Sequence, residues 1–171
     1  MNRSLRGWVT LLALIGLVAT TSSTYIHLQL VADPTYSSFC DVSQTVSCTQ
    51  LYQSRYGTLL GMPVALGGVF WFGVVLLLVF ADVRGPISSR ENIASYFLIW
   101  TTVGLSVAMY MAYASIFVLG AFCILCGVVY IAVGGIFFMT GSEAATPLRR
   151  LPSALAGQLG VLLHQPIGLI L

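Results

Sequence analysis

Four long runs of apolar residues alternate with polar stretches along the chain. The runs cover residues 8–31, 63–83, 94–119 and 121–140. A helix that crosses a membrane needs about 20 mostly apolar residues. The pattern therefore predicts an all-α integral membrane protein, a bundle of four transmembrane helices. The third and fourth runs almost meet at Gly120, which predicts a tight helical hairpin there.

The composition supports a membrane protein. Of the 171 residues, 58% are hydrophobic and only 7% are charged, whereas a soluble domain carries about 25% charged residues. This excludes a soluble globular protein and a disordered chain, and predicts membrane lipid as the surroundings. The net charge of +2 is too small to indicate a nucleic-acid partner.

The two ends of the chain leave alternatives open. We expect a four-helix domain over residues 1–140 and a cytoplasmic or interfacial tail over residues 141–171. Leucines at one helical face favour an interfacial helix over residues 151–171 rather than a fifth crossing, because Gly157, Gly160 and Pro166 weaken a spanning segment. The first apolar run also resembles a secretory signal peptide, but it lacks a clear small-x-small cleavage site.

The arginines predict how the bundle is oriented. The chain has no lysine, and six of its seven arginines fall on one side of a four-crossing bundle: Arg3, Arg6, Arg84, Arg90, Arg149 and Arg150. Only Arg55, in the polar stretch 32–62, falls on the other side. The positive-inside rule makes the arginine-rich side cytoplasmic. Both termini are then cytoplasmic, and the 32–62 loop and the Gly120 turn lie outside.

All four cysteines fall on this predicted outer side. Cys40 and Cys48 lie in the 32–62 loop, and Cys123 and Cys126 form a Cys-x-x-Cys sequence at the start of the fourth helix. Disulfides form and persist in oxidising compartments outside the cytoplasm. The placement predicts either redox-active cysteine pairs or two structural disulfides.

Local sequence around the cysteines favours redox chemistry. Ser47 and Gln50 read as a capping box, which predicts a short helix from Cys48 to Tyr56 that stops at Gly57. The C-x-x-C pair occupies the first turn of another helix. A helix N-terminus stabilises a thiolate, and the thiolate is the form that attacks a disulfide. We expect no metal site, because the spacing of the first cysteine pair is long for zinc.

Residues on the fourth helix could border a cofactor. Cys123, Cys126 and Tyr130 share one helical face, and a phenol at that depth could donate a hydrogen bond to a quinone or to a neighbouring helix. Aromatic residues could wall an apolar cofactor or simply pack in the bundle: Phe70, Trp71, Phe72, Phe97, Trp100 and Phe137. His27 is expected to be an interfacial side chain rather than a metal ligand.

The cysteine segments carry a family resemblance. The segments are Phe-Cys-Asp-Val-Ser at 39–43, Val-Ser-Cys at 46–48, Ser-Arg-Tyr-Gly at 54–57, and Phe-Cys-Ile-Leu-Cys at 122–126 followed by Tyr130. In this order and topology they resemble the vitamin K epoxide reductase family, on its bacterial side, over residues 4–140. The resemblance implies an oxidoreductase that acts on thiols and disulfides with a quinone as acceptor.

The resemblance also implies a role for each cysteine. Cys40 would take the mixed disulfide with a thioredoxin-fold partner, and Cys48 would exchange with Cys123. Cys126 would face the quinone, of the ubiquinone or menaquinone type. Two further residues match family positions near the quinone: Ser54 and Tyr130.

The resemblance bears on partner and location as well. Many bacterial members carry a fused thioredoxin domain, which this sequence lacks, so a separate DsbA-like protein is expected. The location would be a bacterial inner membrane, with the cysteines on the extracytoplasmic side. Vertebrate members have an asparagine where Pro63 stands here, which favours plain quinone reduction over epoxide reduction.

Other functions stay open at this point. One is a non-catalytic membrane protein with two structural disulfides, and another is a vitamin K quinone or epoxide reductase. A DsbB-type oxidase would place the Cys-x-x-Cys before the spaced pair, and here it follows. A thiol-based metal transporter would place cysteines along the membrane path, and here they lie at one surface.

Overall fold

A computed structural model describes residues 3–33, 36, 38–43, 45–59, 61–84 and 90–148. Within these described residues, four helices are long and apolar enough to cross a membrane. The prediction of an all-α, multi-pass membrane bundle is therefore confirmed. The elements in chain order are α1 (Arg3–Ala32), α2 (Cys48–Tyr52), β1 (Thr58–Leu59), β2 (Met62–Pro63), α3 (Val64–Arg84), α4 (Arg90–Tyr113), a π-helical turn (Ala114–Val118) and α5 (Ile124–Leu148).

The helix ends differ from the predicted ones by a few residues. Helix α1 begins at Arg3, and α5 continues to Leu148. The third crossing changes at Ala114 from α-helix to one π-helical turn. Gly120 has a φ of 61° and makes the predicted turn into α5, a conformation that glycine adopts without strain. The interfacial helix expected over 151–171 falls outside the described residues, and the boundary between domain and tail stays a prediction.

Hydroxyl side chains in α1 bond back to its own backbone. Thr20 Oγ1 donates to the Gly16 carbonyl and Thr24 Oγ1 donates to the Thr20 carbonyl, each at 2.8 Å. Both threonines are buried. These bonds satisfy the hydroxyls without water, so α1 can carry a polar cluster and still pack inside the bundle.

The core between the crossings is built from aromatic rings set against glycines. The Phe72 ring of α3 is fully buried and occupies the space that a Cβ at Gly16 would need. Trp71 and Trp100 join α3 to α4 by donating from each indole to the other's carbonyl, at 3.1 and 3.3 Å. The Trp71 ring also fills the space over Gly104. Close helix approach therefore depends on these glycines.

Gly104→Ala is expected to destabilise the bundle by about 1–3 kcal/mol, because the new methyl would overlap the Trp71 indole and force it out of place. Unfolding in detergent micelles would measure the loss. Gly73→Ala in α3 is the matched control, since a Cβ there meets nothing within 4 Å. Equal stability of the two variants would contradict this account of the packing.

The end of the bundle away from the cysteines holds an ion pair. Arg6 Nε in the first turns of α1 lies 3.4 Å from Asp82 Oδ2 near the end of α3. The Asp82 side chain is almost fully buried. Because a buried charge is costly without a partner, this pair fixes the start of α1 against the end of α3.

Candidate active site

The connecting loop, residues 33–63, is tied by backbone hydrogen bonds to the segment just before α5. Phe122 N–H donates to the Thr45 carbonyl at 2.8 Å, and Ser47 N–H donates to the Phe122 carbonyl at 3.1 Å. Val46 and Phe122 thus form a parallel β-bridge. Since Cys48 and Cys123 each follow shortly after the bridge, the two cysteines are brought together.

Asp41 organises the loop around the first cysteine pair. Its Oδ1 accepts from Ser47 Oγ at 2.7 Å and from Thr49 N–H at 3.1 Å. Its Oδ2 accepts from the hydroxyls of Ser38 and Thr49 and from Ser38 N–H. Burial opposes ionisation, but the hydrogen bonds from Thr49, Ser47 and Ser38 outweigh it and hold the pKa of Asp41 well below its usual range. The ionised carboxylate joins the segment around Cys40 to the start of α2.

Helix α2 begins as predicted and ends earlier. Ser47 is its N-cap and accepts a hydrogen bond from Gln50 N–H at 3.2 Å, which places Cys48 at the first helical position. The predicted end at Tyr56 is wrong, because the helix stops at Tyr52. Ser54 causes the stop: its hydroxyl donates to the Leu51 carbonyl at 2.6 Å and competes with the helical ladder.

Three sulfur atoms meet beneath this loop. Cys40 and Cys48 form a disulfide, and Cys123 Sγ lies 2.8 Å from Cys48 Sγ. The three Sγ atoms all lie within 4.8 Å of one another, and the three side chains are buried. Thiol–disulfide exchange needs direct attack of one sulfur on another. The structure thus places Cys123 where it can exchange with Cys48.

The surroundings of Cys123 favour the thiolate form of its sulfur. Cys123 directly precedes α5, and its sulfur accepts a hydrogen bond from Cys126 N–H at 3.4 Å. Tyr52 Oη lies 3.5 Å from the same sulfur. Hydrogen bonds from the Cys126 side chain, from Tyr52 and from the α5 N–H groups outweigh burial and lower the pKa of Cys123 to about 6.

A cavity of about 500 Å³ lies between the helices beside Cys126. Cys126 and Tyr130 both line it, as their shared helical face predicts. Of the six aromatic residues considered from sequence, Trp71 and Phe72 also line it, and Phe97 belongs to the packed core. Ser54 is not among the lining residues, and its role near a quinone stays a prediction. Other side chains that line the cavity include Ser23, His27, Tyr52, Pro63 and Val129.

Comparison with known proteins decides which family carries this arrangement. The model of the Vitamin K epoxide reductase family matches residues 7–141, a range that includes all four cysteines and most of each candidate membrane helix found among the described residues. The chain belongs to this family. Two curated relatives are "Vitamin K epoxide reductase complex subunit 1" of Rattus norvegicus and of Mus musculus. Each is 25% identical over 142 residues, 75% of this chain and 84% of the relative.

Membership of the vitamin K epoxide reductase family fixes the broad activity. The protein is a membrane oxidoreductase. Members of the family work with thioredoxin-like redox partners and are associated with quinones. The paired cysteines and the adjacent cavity give this family member a place for each half of such chemistry.

Three residues of the site, Asp41, Tyr52 and His27, were not predicted from sequence to belong to it. Asp41 was noted only within a motif, and Tyr52 was taken only as part of a predicted helix. Tyr52 is the fourth residue after Cys48 in α2, a spacing that puts both side chains on one helical face and could have indicated it. His27 was expected at the membrane interface. The structure instead buries it in the bundle, with its ring 5.8 Å from the Tyr52 ring.

Proposed function

We propose that the protein is a membrane thiol oxidase and quinone reductase. It passes electrons from a separate thioredoxin-fold, DsbA-like partner through two cysteine pairs to a quinone of the ubiquinone or menaquinone type. This activity supports disulfide formation in exported proteins. The observation that carries the proposal is the 2.8 Å separation of Cys48 Sγ from Cys123 Sγ, with Cys126 lining the adjacent cavity.

Electrons enter at the Cys40–Cys48 disulfide of the connecting loop. A thiolate of the partner attacks Cys40 Sγ, which breaks the Cys40–Cys48 bond and leaves Cys48 as a thiolate. Cys48 then attacks Cys123 in an oxidised Cys123–Cys126 pair and releases the Cys126 thiolate. The partner's second thiol displaces Cys40 and completes the partner's disulfide. Each step exchanges one S–S bond for another.

Resolution of the Cys48–Cys123 disulfide then re-forms the Cys40–Cys48 disulfide. The Cys40 thiolate attacks Cys48, re-forms the Cys40–Cys48 bond and releases Cys123. The two electrons from the partner then reside on Cys123 and Cys126. This is the redox state of the structure, in which Cys40 and Cys48 are bonded and Cys123 and Cys126 are free thiols. The same state supports exchange rather than two structural disulfides.

The cavity has the character that a quinone needs. Its volume of about 500 Å³ suits a small apolar ring. The walls carry apolar side chains, and Tyr130 offers a phenol that can donate a hydrogen bond to a carbonyl oxygen. A quinone held there would accept two electrons and two protons as the Cys123 and Cys126 thiols become a disulfide. Cys126 supplies sulfur at the cavity wall.

The same proposal assigns a place in the cell. We assign the Arg6 and Asp82 end of the bundle to the cytoplasm and the cysteine end to the outer face of a bacterial inner membrane, and the six-arginine bias supports this orientation. A lipid-soluble acceptor and a water-soluble partner can then both reach the site. Oxidation of exported thiols requires this sidedness, since the cytoplasm is reducing.

Quinone reduction by the purified protein tests the proposal. The protein in detergent would be supplied anaerobically with a reduced DsbA-like protein and a soluble quinone, beside each of four Cys→Ala variants. We expect quinol formation by the wild type and its loss with any cysteine removed. The proposal fails if the wild type forms no quinol, and two disulfides that resist mild reductant would then favour the structural alternative. Reduction of an epoxide in the same assay would favour a vitamin K epoxide reductase.

Tyr130→Phe is expected to raise the KM for quinone by up to about tenfold, because the variant keeps the cavity wall and loses one neutral hydrogen bond. Initial rates over a series of quinone concentrations would measure the change. The kcat should fall much less than the affinity. Unchanged KM would mean that the Tyr130 phenol does not contact the quinone.

A further inference from the structure

We propose that Tyr52 is a positioning residue that stabilises the Cys123 thiolate as it leaves the Cys48–Cys123 disulfide. The inference deepens the proposed function and rests on it for the direction of electron flow. Tyr52 lies in α2, four residues after Cys48. The Tyr52 side chain is buried, and its Oη lies 3.5 Å from Cys123 Sγ. One short helix thus places both the attacked sulfur and a phenol against the same thiol.

The direction of this hydrogen bond follows from chemistry. A thiolate has no hydrogen to donate, so Tyr52 O–H is the donor whenever Cys123 is ionised. Burial, together with the nearby Cys126 and Cys123 charges, raises the pKa of Tyr52, which keeps its proton on the phenol. Hydrogen bonds to charged groups are about twice as strong as those between neutral groups. The contact therefore stabilises the thiolate more than the disulfide-bonded sulfur.

A second contact fixes the phenol in place. Ser23 of α1 forms a side-chain hydrogen bond with Tyr52, and the His27 ring packs edge-on against the Tyr52 ring at 5.8 Å between centroids. Ser23 and His27 lie four residues apart on one face of α1. A serine hydroxyl that donates to the phenol oxygen leaves the phenol proton free to point at Cys123. The Tyr52 side chain therefore joins α2 of the loop to α1 and to the start of α5.

The step that depends on Tyr52 is the resolution of the Cys48–Cys123 disulfide. The Cys40 thiolate attacks Cys48, the Cys40–Cys48 bond forms, the Cys48–Cys123 bond breaks, and Cys123 leaves with the electron pair as a thiolate. No proton is gained or lost. A thiol of lower pKa leaves faster. The Tyr52 hydrogen bond thus favours forward movement of electrons onto the Cys123–Cys126 pair.

Tyr52→Phe is the test, because it keeps the ring and removes only the hydroxyl. The ionisation of Cys123 would be followed by ultraviolet thiolate absorbance against pH, with Cys123→Ala in each background as the blank. We expect the midpoint to rise from near pH 6 by about one unit. On a Brønsted slope of about 0.5 the resolution step should slow about threefold. Mass spectrometry under turnover should then show more Cys48–Cys123 disulfide.

Controls separate this role from a packing role. Tyr25→Phe removes a hydroxyl from an exposed tyrosine of α1 and should leave the midpoint unchanged. Ser23→Ala should move the midpoint in the same direction as Tyr52→Phe, by less. Among the described residues, the titratable groups around Cys123 are Tyr52 of α2, Cys126 and Tyr130 of α5, and His27 behind the Tyr52 ring.

Two failures would look different. An unchanged Cys123 midpoint in both Tyr52→Phe and Ser23→Ala overturns the role of Tyr52, whatever the turnover rate. The titration needs neither quinone nor partner. Absence of quinol formation by the wild type overturns the proposed function, while a raised midpoint in Tyr52→Phe would still support the Tyr52–Cys123 interaction.

Discussion

Cys126→Ala is expected to abolish quinone reduction while the partner still forms its mixed disulfide at Cys40. Cys126 is the one cysteine that lines the cavity. Without Cys126, Cys123 cannot form the Cys123–Cys126 disulfide through which the relay passes two electrons to the quinone. We expect a loss on the order of a hundredfold or more in quinol formation. Anaerobic quinol assays would measure quinone reduction, and non-reducing gels with the partner would separately measure the mixed disulfide at Cys40.

Val129→Ala is the matched control for this variant. Val129 lines the same cavity three residues further along α5 and carries no sulfur. Its truncation should leave most of the turnover and change only the fit of the quinone. Cys40→Ala should instead lose both the mixed disulfide and the turnover. Normal quinone turnover in Cys126→Ala would refute the assignment of Cys126 as the residue that faces the acceptor.

The crossings could be predicted from sequence because each depends only on local composition. An apolar run of sufficient length has to form a helix in lipid, where every backbone polar group must be satisfied internally. The Cys-x-x-Cys pair could be placed at the start of α5 for the same reason, since it begins the last apolar run. Gly120 was the natural turn between two runs that almost touch.

The contact between Cys48 and Cys123 could not be derived in this way. The two residues are 75 positions apart, and they meet because Phe122 exchanges backbone hydrogen bonds with Thr45 and Ser47. Backbone bonds leave no side-chain signature in the sequence. Only the family resemblance implied that Cys48 and Cys123 exchange, and the structure supplies the distance.

The early end of α2 has a similar origin. A capping box marks the start of a helix reliably because it is a local pattern. The end was expected at Gly57, but Ser54 captures the Leu51 carbonyl and the backbone turns back through the Gly57 N–H to the Ser54 carbonyl. Whether a serine hydroxyl donates such a bond to a nearby carbonyl depends on its tertiary surroundings, so the sequence does not predict it. Burial of His27 likewise depends on Tyr52, which no pattern within α1 reveals.

Asp41→Asn is expected to loosen the connecting loop and slow transfer between the cysteine pairs by at least about tenfold. The carboxylate of Asp41 accepts five hydrogen bonds, from Ser38, Ser47 and Thr49. An amide presents a donor in place of one acceptor oxygen and carries no charge. Hydrogen exchange of the segment around α2 and the rate of Cys48–Cys123 exchange would measure the loss.

The pH dependence gives a second check on Asp41. Its pKa is depressed in the folded protein, so its contribution to loop stability is fully present above the ordinary aspartate pKa of about 4. The contribution is lost only as the pH falls through the lower folded value. The wild-type loop should therefore stay protected at about pH 4, relative to an unfolded reference at the same pH. Asp41→Asn should lack this protection at every pH.

Two further variants show whether the effect belongs to the carboxylate. Thr49→Ala removes one hydroxyl donor and keeps the backbone donor, so its loop should be intermediate between wild type and Asp41→Asn. Gln53→Ala changes an exposed side chain just after α2 and should behave as wild type. Wild-type protection and wild-type exchange rates in Asp41→Asn would show that the Phe122 bridge alone holds Cys48 against Cys123. Protection and exchange rate that fall from wild type to Thr49→Ala to Asp41→Asn would show that the carboxylate holds the loop in the geometry that sulfur exchange requires.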